Sequence, residues 1–557
     1  MSDTQLADQF LYQCSLKSDP AVKVSSRKRV PFVIDINQGS YANGIVTIDA
    51  TSQLNGAEGF GSLKDAYIIV PYKVSMKNGA TAQTAAANRL CMGLKCGAFN
   101  VIDGLSLELN GKSILSMTDY KLFWNNLRAQ SSMSSQFVDK HGADTFIYPD
   151  SAQSVLYTPT GTPTLNGDGY SNNVVYTSSL ATSASPVGAT TPNEGFLRRL
   201  LANPPTAGAD FTAAWPSAEQ SAASTTISNQ TARGAFVAGA STANNIMGTW
   251  IYMLKIKLTD LHPIFAELDL IANPQVRMRF KVNQGSSAIV VDASKNMTLT
   301  STTLSSGQTC PVMLASAATG NPMAGVLAAS APFSIAWGAV SNVLEPTVDG
   351  TYMLFTTCRL KPLKTVRYND VYAQWFYQRA GIGKQSPQFN TSFDLQLSAS
   401  IKNAKYVAVL PFAEGTNSTT SGVQQFQSPF DSAPWTVQPG SSIRNFNVRI
   451  GSQQVFDISY DYDFHAFINE FSKLASINGD LTPELTNSLL DYRTWSSTNR
   501  VLVADVSRLT ERDVPQSIQV MGTNAGCQGT NLLVLVIYEN ELTFDRLTGE
   551  VSEYTSN

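Results

Sequence analysis

The sequence is poor in charged side chains for its length. They make up 15% of the 557 residues, whereas ordinary soluble domains have roughly 25%. The 39 basic and 42 acidic residues leave a net charge of −3, so the chain as a whole has no electrostatic attraction to nucleic acid or to anionic lipid. A surface with so few charges is typical of one that other subunits cover.

Residue types that carry most catalysis are also scarce. The three histidines, His141, His262 and His465, have no cysteine or histidine nearby at metal-binding spacing. The six cysteines are scattered and lack the paired spacing of a zinc site. Phosphate-binding loops, nucleophile elbows and dinucleotide fingerprints are missing as well. We therefore expect a protein that is not an enzyme and has no catalytic, cofactor-binding or metal-binding residues.

Long hydrophobic runs are missing too. The longest, LLVLVIY, covers Leu532–Tyr538, far short of the roughly 20 residues that a membrane helix needs. The N-terminal stretch lacks the basic and apolar regions of a secretory signal. These absences favour a soluble protein made in a reducing compartment.

What the sequence does contain is an internal repeat. The segment SLKDAYIIVPY (Ser62–Tyr72) returns about 340 residues later as SIKNAKYVAVLPF (Ser400–Phe412). Each copy is followed by a hairpin pattern with a glycine in the turn, Gly111 in the first and Gly451 in the second. The same features in the same order indicate that one domain occurs twice.

Both copies then change from a period of two to a period of 3.6. Apolar residues at i, i+3, i+4 and i+7 predict one amphipathic helix in each copy. The strand patterns at 251–260 and 500–510 continue the correspondence after the helices. The helix residues are Tyr120, Phe123, Trp124 and Leu127 in the first copy, and Phe464, Phe467, Ile468 and Phe471 in the second.

The strands are short, bounded by Gly, Pro, Asn and Asp, and show no alternation with helices, which predicts antiparallel sandwiches. The predicted fold class is mainly β: two tandem eight-stranded antiparallel jelly rolls (a double jelly roll) with short helices and a long loop insertion in the first. The insertion is rich in Thr, Ser, Ala, Gly and Pro. Its scattered large apolar residues favour a partly ordered excursion from one end of the first domain over the alternative, a flexible linker.

These patterns divide the chain into four parts. They are an N-terminal arm at 1–30, a first jelly roll at 31–292 with the insertion at about 136–245, a connector at 293–350, and a second jelly roll with a C-terminal tail at 351–557.

Several segments between about residues 31 and 553 carry a likeness to a known family. They are IKLTDLHPIFAELDL (Ile256–Leu270), IKNAKYVAVLPF, SPFDSAPWTVQPGSSIRNFNVRIG (Ser428–Gly451), YDYDFHAFINE, RVLVADVSRL, SIQVMGTN and NLLVLVIYENELTFDRLTGEV. In order and character they resemble the double jelly-roll major capsid proteins of the polinton-like virus, virophage and adintovirus group. The insertion and the connector resemble no part of that family.

The resemblance implies a structural function. In that family three chains associate so that six jelly rolls form a pseudo-hexameric capsomer, and capsomers tile an icosahedral shell around DNA. It implies a major capsid protein that is part of the virion and assembles inside the host cell. The implied partners are further copies of the chain, as a homotrimer and then as neighbouring capsomers, together with a penton protein and minor capsid proteins.

The alternative is a carbohydrate-binding or glycan-cleaving β-sandwich protein, because some jelly rolls place two carboxylates within reach of a glycosidic bond. Asp461 and Asp463 stand at a predicted helix start, where carboxylates cap the helix. Glu539, Glu541 and Asp545 alternate along a strand end and are expected to face solvent. The twin-domain plan favours the capsid protein, since a lectin or hydrolase gains nothing from repeating it.

One basic cluster stands just ahead of the first predicted strand, formed by Lys23, Arg27, Lys28 and Arg29. Four cations can neutralise phosphates of a packaged genome, or fasten the arm beneath a neighbouring subunit. A solvated tail is an equally favoured alternative. Under the capsid hypothesis, the arm lies on the inner side of the shell and makes weak contact with packaged DNA.

Overall fold

The structure is a computed structural model, and every structural statement below concerns the residues that it describes. They are 24–35, 45–49, 60–78, 90–94, 97–149, 236–237, 246–268, 271, 275–288, 311–316, 333–339, 347–358, 363–376, 391–413, 443–458, 464–475, 488–490, 495, 501–509, 514–524 and 530–555.

The first half of the chain supplies thirteen of the described strands. They are β1 (Val24–Asp35), β2 (Ile45–Asp49), β3 (Phe60–Asn78), β4 (Leu90–Leu94), β5 (Ile102–Leu109), β6 (Lys112–Thr118), β7 (Phe236–Val237), β8 (Ile246–Lys257), β9 (Val276–Val282), β10 (Gly285–Ala288), β11 (Val312–Ser316), β12 (Phe333–Ala339) and β13 (Thr347–Cys358).

The second half supplies nine more. They are β14 (Leu363–Phe376), β15 (Thr391–Gln396), β16 (Ala404–Ala413), β17 (Ile443–Ile450), β18 (Gln453–Gln454), β19 (Leu502–Asp505), β20 (Ile518–Asn524), β21 (Thr530–Asp545) and β22 (Val551–Thr555).

The described helices are short. They are α1 (Phe123–Ser132), α2 (Ser135–Thr145), α3 (Leu258–Leu261), α4 (Ile264–Glu267) and α5 (Phe464–Ala475), with 3-10 helices at Ala98–Val101 and Asp119–Leu122. No helix of the described part has the length and apolar character required to span a bilayer.

The strands form two sandwiches with the same internal order. In the first, one sheet has the order β1-β13-β3, with β8 on the far side of β3, and the facing sheet has the order β2-β9-β5-β6. In the second, the corresponding sheets are β14-β21-β16-β19 and β15-β20-β17-β18. All the pairings are antiparallel. Each sandwich is therefore an eight-stranded jelly roll, and the predicted fold class and internal repeat are confirmed.

The alternation of apolar and polar residues explains why each four-stranded sheet has one buried face and one outward face. In β9, Val276, Met278 and Phe280 are buried, while the residues between them are exposed. β20 shows the same alternation with Ile518 and Val520 buried. One face of each of these sheets therefore lies on a core and the other faces outward.

The run LLVLVIY in β21 is apolar on both faces for a different reason. Every residue from Leu532 to Ile537 is at most 1% exposed. The strand lies between β14 and β16 along its length, and Tyr406 on β16 donates its hydroxyl hydrogen to the Lys473 carbonyl oxygen of α5. α5 thus packs against this sheet, and a strand that is buried on both sides needs no polar face.

Connections at the two ends of the jelly rolls differ in length. Tight turns join β5 to β6 and β17 to β18, with Gly111 and Gly451 at φ 76° and 57°. β21 and β22 join in a hairpin at the same end, and β1 begins there, opposite Cys358. We name this the turn end. The strand ends that the long connections join lie at the opposite end, the loop end. They are the ends of β14 and β16 and the starts of β15, β17 and β8.

The first jelly roll extends further along the chain than the sequence analysis placed it. β12 and β13 fall in the predicted connector and at the start of the predicted second jelly roll, yet both pair with β3. β13 holds the position that β21 holds in the second jelly roll. The surrounding Ala, Ser, Gly and Thr residues bury little area and give a weak strand pattern, which is why the pattern placed this boundary too early.

Part of the predicted insertion is described. α2 stands at its start, where Ser134 caps the helix by accepting a hydrogen bond from the Phe137 backbone N–H, and β7 pairs with β8 near its end. Residues 150–235 lie outside the described residues, so the ordered excursion stays a prediction.

Candidate functional site

Several buried ionisable side chains of the described residues lie at the junction between the two jelly rolls. β14 of the second jelly roll contacts the first, as do β22 and Ser488. From the turn end to the loop end it meets α4 through Lys364, His262 through Asp370, and the 3-10 helix through Trp375. The contact therefore runs along nearly the whole strand.

His262 is the central residue of the junction on the side of the first jelly roll. It stands between α3 and α4 and is 0% exposed. Its Nδ1 accepts a hydrogen bond from the Ile264 backbone N–H at 3.1 Å, so the proton of the neutral ring is on Nε2. That Nε2 lies 3.5 Å from Asp370 Oδ1. Burial lowers the pKa of His262, and the Asp370 carboxylate only partly offsets this effect.

Asp370 is the facing residue of the second jelly roll and is 6% exposed. Its Oδ1 accepts from the Val371 backbone N–H at 2.7 Å, and its Oδ2 accepts from Tyr538 Oη at 3.2 Å and Asn540 Nδ2 at 3.4 Å. Burial alone would raise the pKa of Asp370, but His262 and the Val371 N–H outweigh burial and lower it. The carboxylate is thus held ionised in the interior.

Aromatic rings enclose this pair. Trp124 of α1 and Tyr368 of β14 lie edge-on to the His262 ring, with centroid distances of 5.6 and 5.8 Å. Nearer the loop end, Tyr120 stacks on Trp375 across the junction at 5.3 Å. Aromatic pairs of this geometry contribute about 0.5–1.5 kcal/mol beyond the area that they bury.

Arg128 of α1 fixes the helix to α3 behind His262. Its guanidinium donates to the carbonyl oxygens of Thr259 at 2.8 Å and Asp260 at 3.4 Å, and lies 5.2 Å from the Trp124 ring centroid. Burial lowers the pKa of Arg128 to about 10 although the Asp260 charge opposes this. Burial also raises the pKa of Asp260, against the charges of Arg128 and Lys257.

Lysines tie the jelly rolls together toward the turn end. Lys364 donates to the Glu267 carbonyl oxygen at 2.7 Å, and Lys112 at the start of β6 donates to the Val551 carbonyl oxygen of β22 at 2.7 Å. Both Lys112 and Val551 follow tight turns at the turn ends of their own jelly rolls. The two jelly rolls therefore stand the same way up, with their turn ends on one side.

The predicted site residues are only partly described. Arg27, Lys28 and Arg29 fall inside β1, which starts earlier than predicted and pairs with β13, and Lys23 lies outside the described residues. The backbone places the three arginine and lysine residues at the turn end. Their contact with a genome or a neighbouring subunit stays a prediction.

The carboxylates considered for glycan chemistry make structural contacts. Glu539 lies 3.7 Å from Lys405 Nζ, and Glu541 accepts from Arg367 Nε at 2.9 Å. Asp545 accepts from the Leu547 backbone N–H in the β21–β22 hairpin. Asp461 and Asp463 lie outside the described residues.

The other two histidines are surface residues, since His141 on α2 and His465 on α5 are exposed. Within the described residues, no group of three or more His, Cys, Asp or Glu side chains is placed to hold a metal ion.

Sequence reasoning missed the junction. In the sequence, His262 is only one of three histidines without metal-binding neighbours, and Asp370 belongs to no predicted site. A signal for Asp370 does exist, because a charged residue interrupts an aromatic and β-branched strand there, and an ionised group inside such a strand needs a partner. Nothing in the sequence names His262 as that partner.

No family model matches the sequence, and no curated protein matches it either. Solved structures do match. A chain of the 3.5 Å cryo-EM structure of the Sputnik virophage matches with a TM-score of 0.50 and 10% identity, over 96% of this chain and 89% of that chain. The present chain shares the fold of that virophage chain.

Two further matches have lower scores. The crystal structure of the mavirus major capsid protein matches with a TM-score of 0.39 and 12% identity, over 97% of this chain and 93% of that chain. A PBCV-1 virus capsid model matches with a TM-score of 0.37 and 10% identity, over 96% and 98% of the two chains.

Proposed function

We propose that this chain is a major capsid protein, a non-enzymatic building block whose homotrimer forms a pseudo-hexameric capsomer of an icosahedral DNA virus shell. The observation that carries the proposal is the repetition of one eight-strand order in two jelly rolls that stand the same way up. Three such chains in a ring present six similar units around one axis. One face of the tile then carries all the turn ends and the other face all the loop ends.

The junction supports this assignment because a tile needs its two halves held at a fixed angle. An ionised carboxylate with three hydrogen-bond donors and a facing imidazole, sealed by aromatic rings, has few alternative arrangements. A hinge between independently acting domains would be expected to have a smaller and wetter contact.

Composition and fold agree with this role. A chain in which 15% of residues are charged suits a subunit whose side surfaces are covered by neighbours, as in obligate interfaces of roughly 2,000–5,000 Å². The fold shared with the Sputnik virophage chain is consistent with a place in the virion, with assembly inside a host cell.

The orientation of the chain in the shell is assigned from the turn end and the loop end of its jelly rolls. The turn end, where β1 begins, is the inner side of the shell, so Lys23, Arg27, Lys28 and Arg29 are available to packaged DNA. The loop end faces outward. A penton protein and minor capsid proteins complete the shell at positions where a pseudo-hexameric tile does not fit.

Size-exclusion chromatography with light scattering tests the proposal. A stable particle of three times the 60.1 kDa chain mass, without binding to a glycan array, is expected. A monomer that binds or cleaves glycans would contradict the capsid role and support the carbohydrate-active alternative. Replacing the four arm cations by glutamine should leave the trimer intact and reduce the DNA content of assembled particles.

A further inference from the structure

The two four-stranded sheets each present an outward face, and these faces differ in charge. The first outer face consists of the outward residues of β2, β9 and β5. The second outer face consists of the outward residues of β15, β20 and β17, which hold the equivalent positions in the second jelly roll. Strand register groups the residues of each face into three rows across the sheet, counted from the turn end.

The first outer face begins with an acidic row. Asp49, Arg277 and Glu108 lie side by side, with the guanidinium 3.7 and 3.8 Å from the two carboxylates. Two carboxylates and one guanidinium leave this row with one net negative charge.

The middle row of the first outer face is basic. Arg279 lies between Thr47 and Ser106 and is exposed. Among the described residues, the ion pairs of β9 involve Arg277 and Lys281 and not Arg279. The third row is neutral, since Lys281 lies 3.2 Å from Asp103.

The second outer face has the opposite sequence of signs. Its first row is Gln396, Gln519 and Arg449, with one positive charge. Its middle row is Asp394, Met521 and Asn447, with one negative charge. Asn447 is itself buried, because its side chain pairs with the Phe456 backbone, so Asp394 and Met521 form the accessible part of this row.

Asp394 is exposed, like Arg279 in the corresponding row of the other jelly roll. The third row ends with Arg444, opposite Thr523.

We propose that the first outer face of one copy of this chain docks against the second outer face of another copy, with both turn ends on the same side. This inference rests on the proposed function, because it names the side contact of the self-assembling tile. With the turn ends level, the acidic first row meets Arg449 and the basic middle row meets Asp394. Opposite charges then face each other in two successive rows.

The same charges disfavour the competing contacts. Two first outer faces set level would bring Arg279 against Arg279, and two second outer faces would bring Asp394 against Asp394. Inverting one partner would set Arg444 against the acidic row and Asp394 again against Arg279. The level arrangement therefore follows from the tile, in which all turn ends lie on one side, and not from the charges alone. Charge patterns of this kind select the partner more than they add affinity.

Charge reversal at the middle row tests the contact. Arg279→Glu and Asp394→Arg each place like charges together, so each single variant should self-associate about tenfold more weakly or worse than the natural chain. The double variant restores opposite charges and should regain assembly. Lys140→Glu, at an exposed position on α2, is the matched control and should assemble like the natural chain.

A mixing experiment separates a contact between copies from one within a copy. Neither single variant should self-associate alone, whereas a mixture of the two should form complexes of two chains, because each reversed face then meets a face of opposite charge. A closed ring of three chains cannot alternate two variants, so the mixture should stop at these complexes, while the double variant regains the trimer.

Sedimentation velocity and electron microscopy provide the readouts for both experiments. Circular dichroism of each variant verifies its fold. The neutral pair Arg279→Gln and Asp394→Asn should give a milder loss, and this loss must shrink as salt rises.

The outcomes are distinguishable from those of the function test. If the natural chain forms no trimer or larger assembly, the proposed function itself fails. If the natural chain assembles and both single reversals assemble equally well, or if the double variant and the mixture stay as defective as the single variants, the docking of these two faces is overturned.

Discussion

The two jelly rolls share one strand order but use their equivalent helices differently. In the second, Phe467 of α5 stacks on Phe471 and on Trp495, with ring centroids 4.8 and 4.9 Å away, and all three rings are buried. In the first, α1 buries Asn125 and Asn126 beside its aromatic residues.

The two helices touch each other, but their main neighbours differ, because α1 packs beside His262 and α5 packs on β19. The duplicated units have thus diverged where they meet each other, and have stayed alike in strand order.

The largest effect is expected from Trp495→Ala, which empties the aromatic stack of α5. Trp495 is 2% exposed and donates its indole N–H to the Val501 carbonyl oxygen at 3.0 Å. Its truncation should lower the free energy of unfolding by about 3–5 kcal/mol. Hydrogen exchange should rise in the strands of the second jelly roll and stay low in β3 and β9. Equal acceleration in both jelly rolls would contradict a local role, and His465→Ala on the exposed side of α5 is the control.

Asp370→Ala should break the junction instead. It removes the carboxylate that accepts from the Tyr538 hydroxyl and the Asn540 amide, together with the negative charge that faces His262, which should cost about 3 kcal/mol. Exchange should rise along β14 and in α3 and α4 together, because both sides of the contact loosen. Asp370→Asn keeps one acceptor oxygen, so its loss of stability should be smaller than that of Asp370→Ala. The exposed Asp457→Ala is the control, and an Asp370→Ala protein no less stable than that control would refute the junction.

Acidification should weaken the junction through His262. Its pKa is lowered in the folded chain, so below the ordinary value of 6.5 the unfolded chain binds the proton first and stability falls. The slope is at most about 1.4 kcal/mol per pH unit. Asp260 acts oppositely, since its raised pKa favours the folded state as the pH falls toward 3.8. The contribution of Asp370 is lost only below 3.8.

Unfolding free energies measured from pH 7.5 to 5 isolate the contribution of His262. The slope should be reduced in His262→Gln and unchanged in Gln136→Ala, which alters an exposed side chain of α2 that does not titrate. Identical slopes in the natural chain and in His262→Gln would show that this imidazole does not couple protonation to stability.

The smallest effect is expected from Lys112→Met, which removes one hydrogen bond between the turn ends. A loss of about 1 kcal/mol is expected, since the donor is charged but partly hydrated. Proteolysis should become faster at β22 only. A change as large as that of Asp370→Ala would mean that the turn ends, and not the buried pair, hold the jelly rolls together.

The sequence predicts the fold well because repeated strands carry their signal locally. Alternation in segments such as β9 and β20, and the helix stripes around Trp124 and Phe467, are each readable from adjacent residues. The end of the first jelly roll was placed too early because β12 and β13 pair with β3, far away in the sequence, and are set among small residues.

The junction could not be read from the sequence for a similar reason. His262 and Asp370 meet only because α3, α4 and β14 dock, and docking depends on the shapes of two completed sandwiches. The outer faces can be predicted from the sequence only in part. The alternation of β9 predicts which residues point outward, but it does not predict which strands flank them. The rows of charge emerge only with the register.

Electron cryo-microscopy of the purified chain tests the central claim most directly. The account predicts class averages with threefold symmetry and six lobes of nearly equal size around the axis, two for each chain. Averages that show isolated monomers, or an assembly in which the two jelly rolls of a chain do not alternate around one axis, would contradict it.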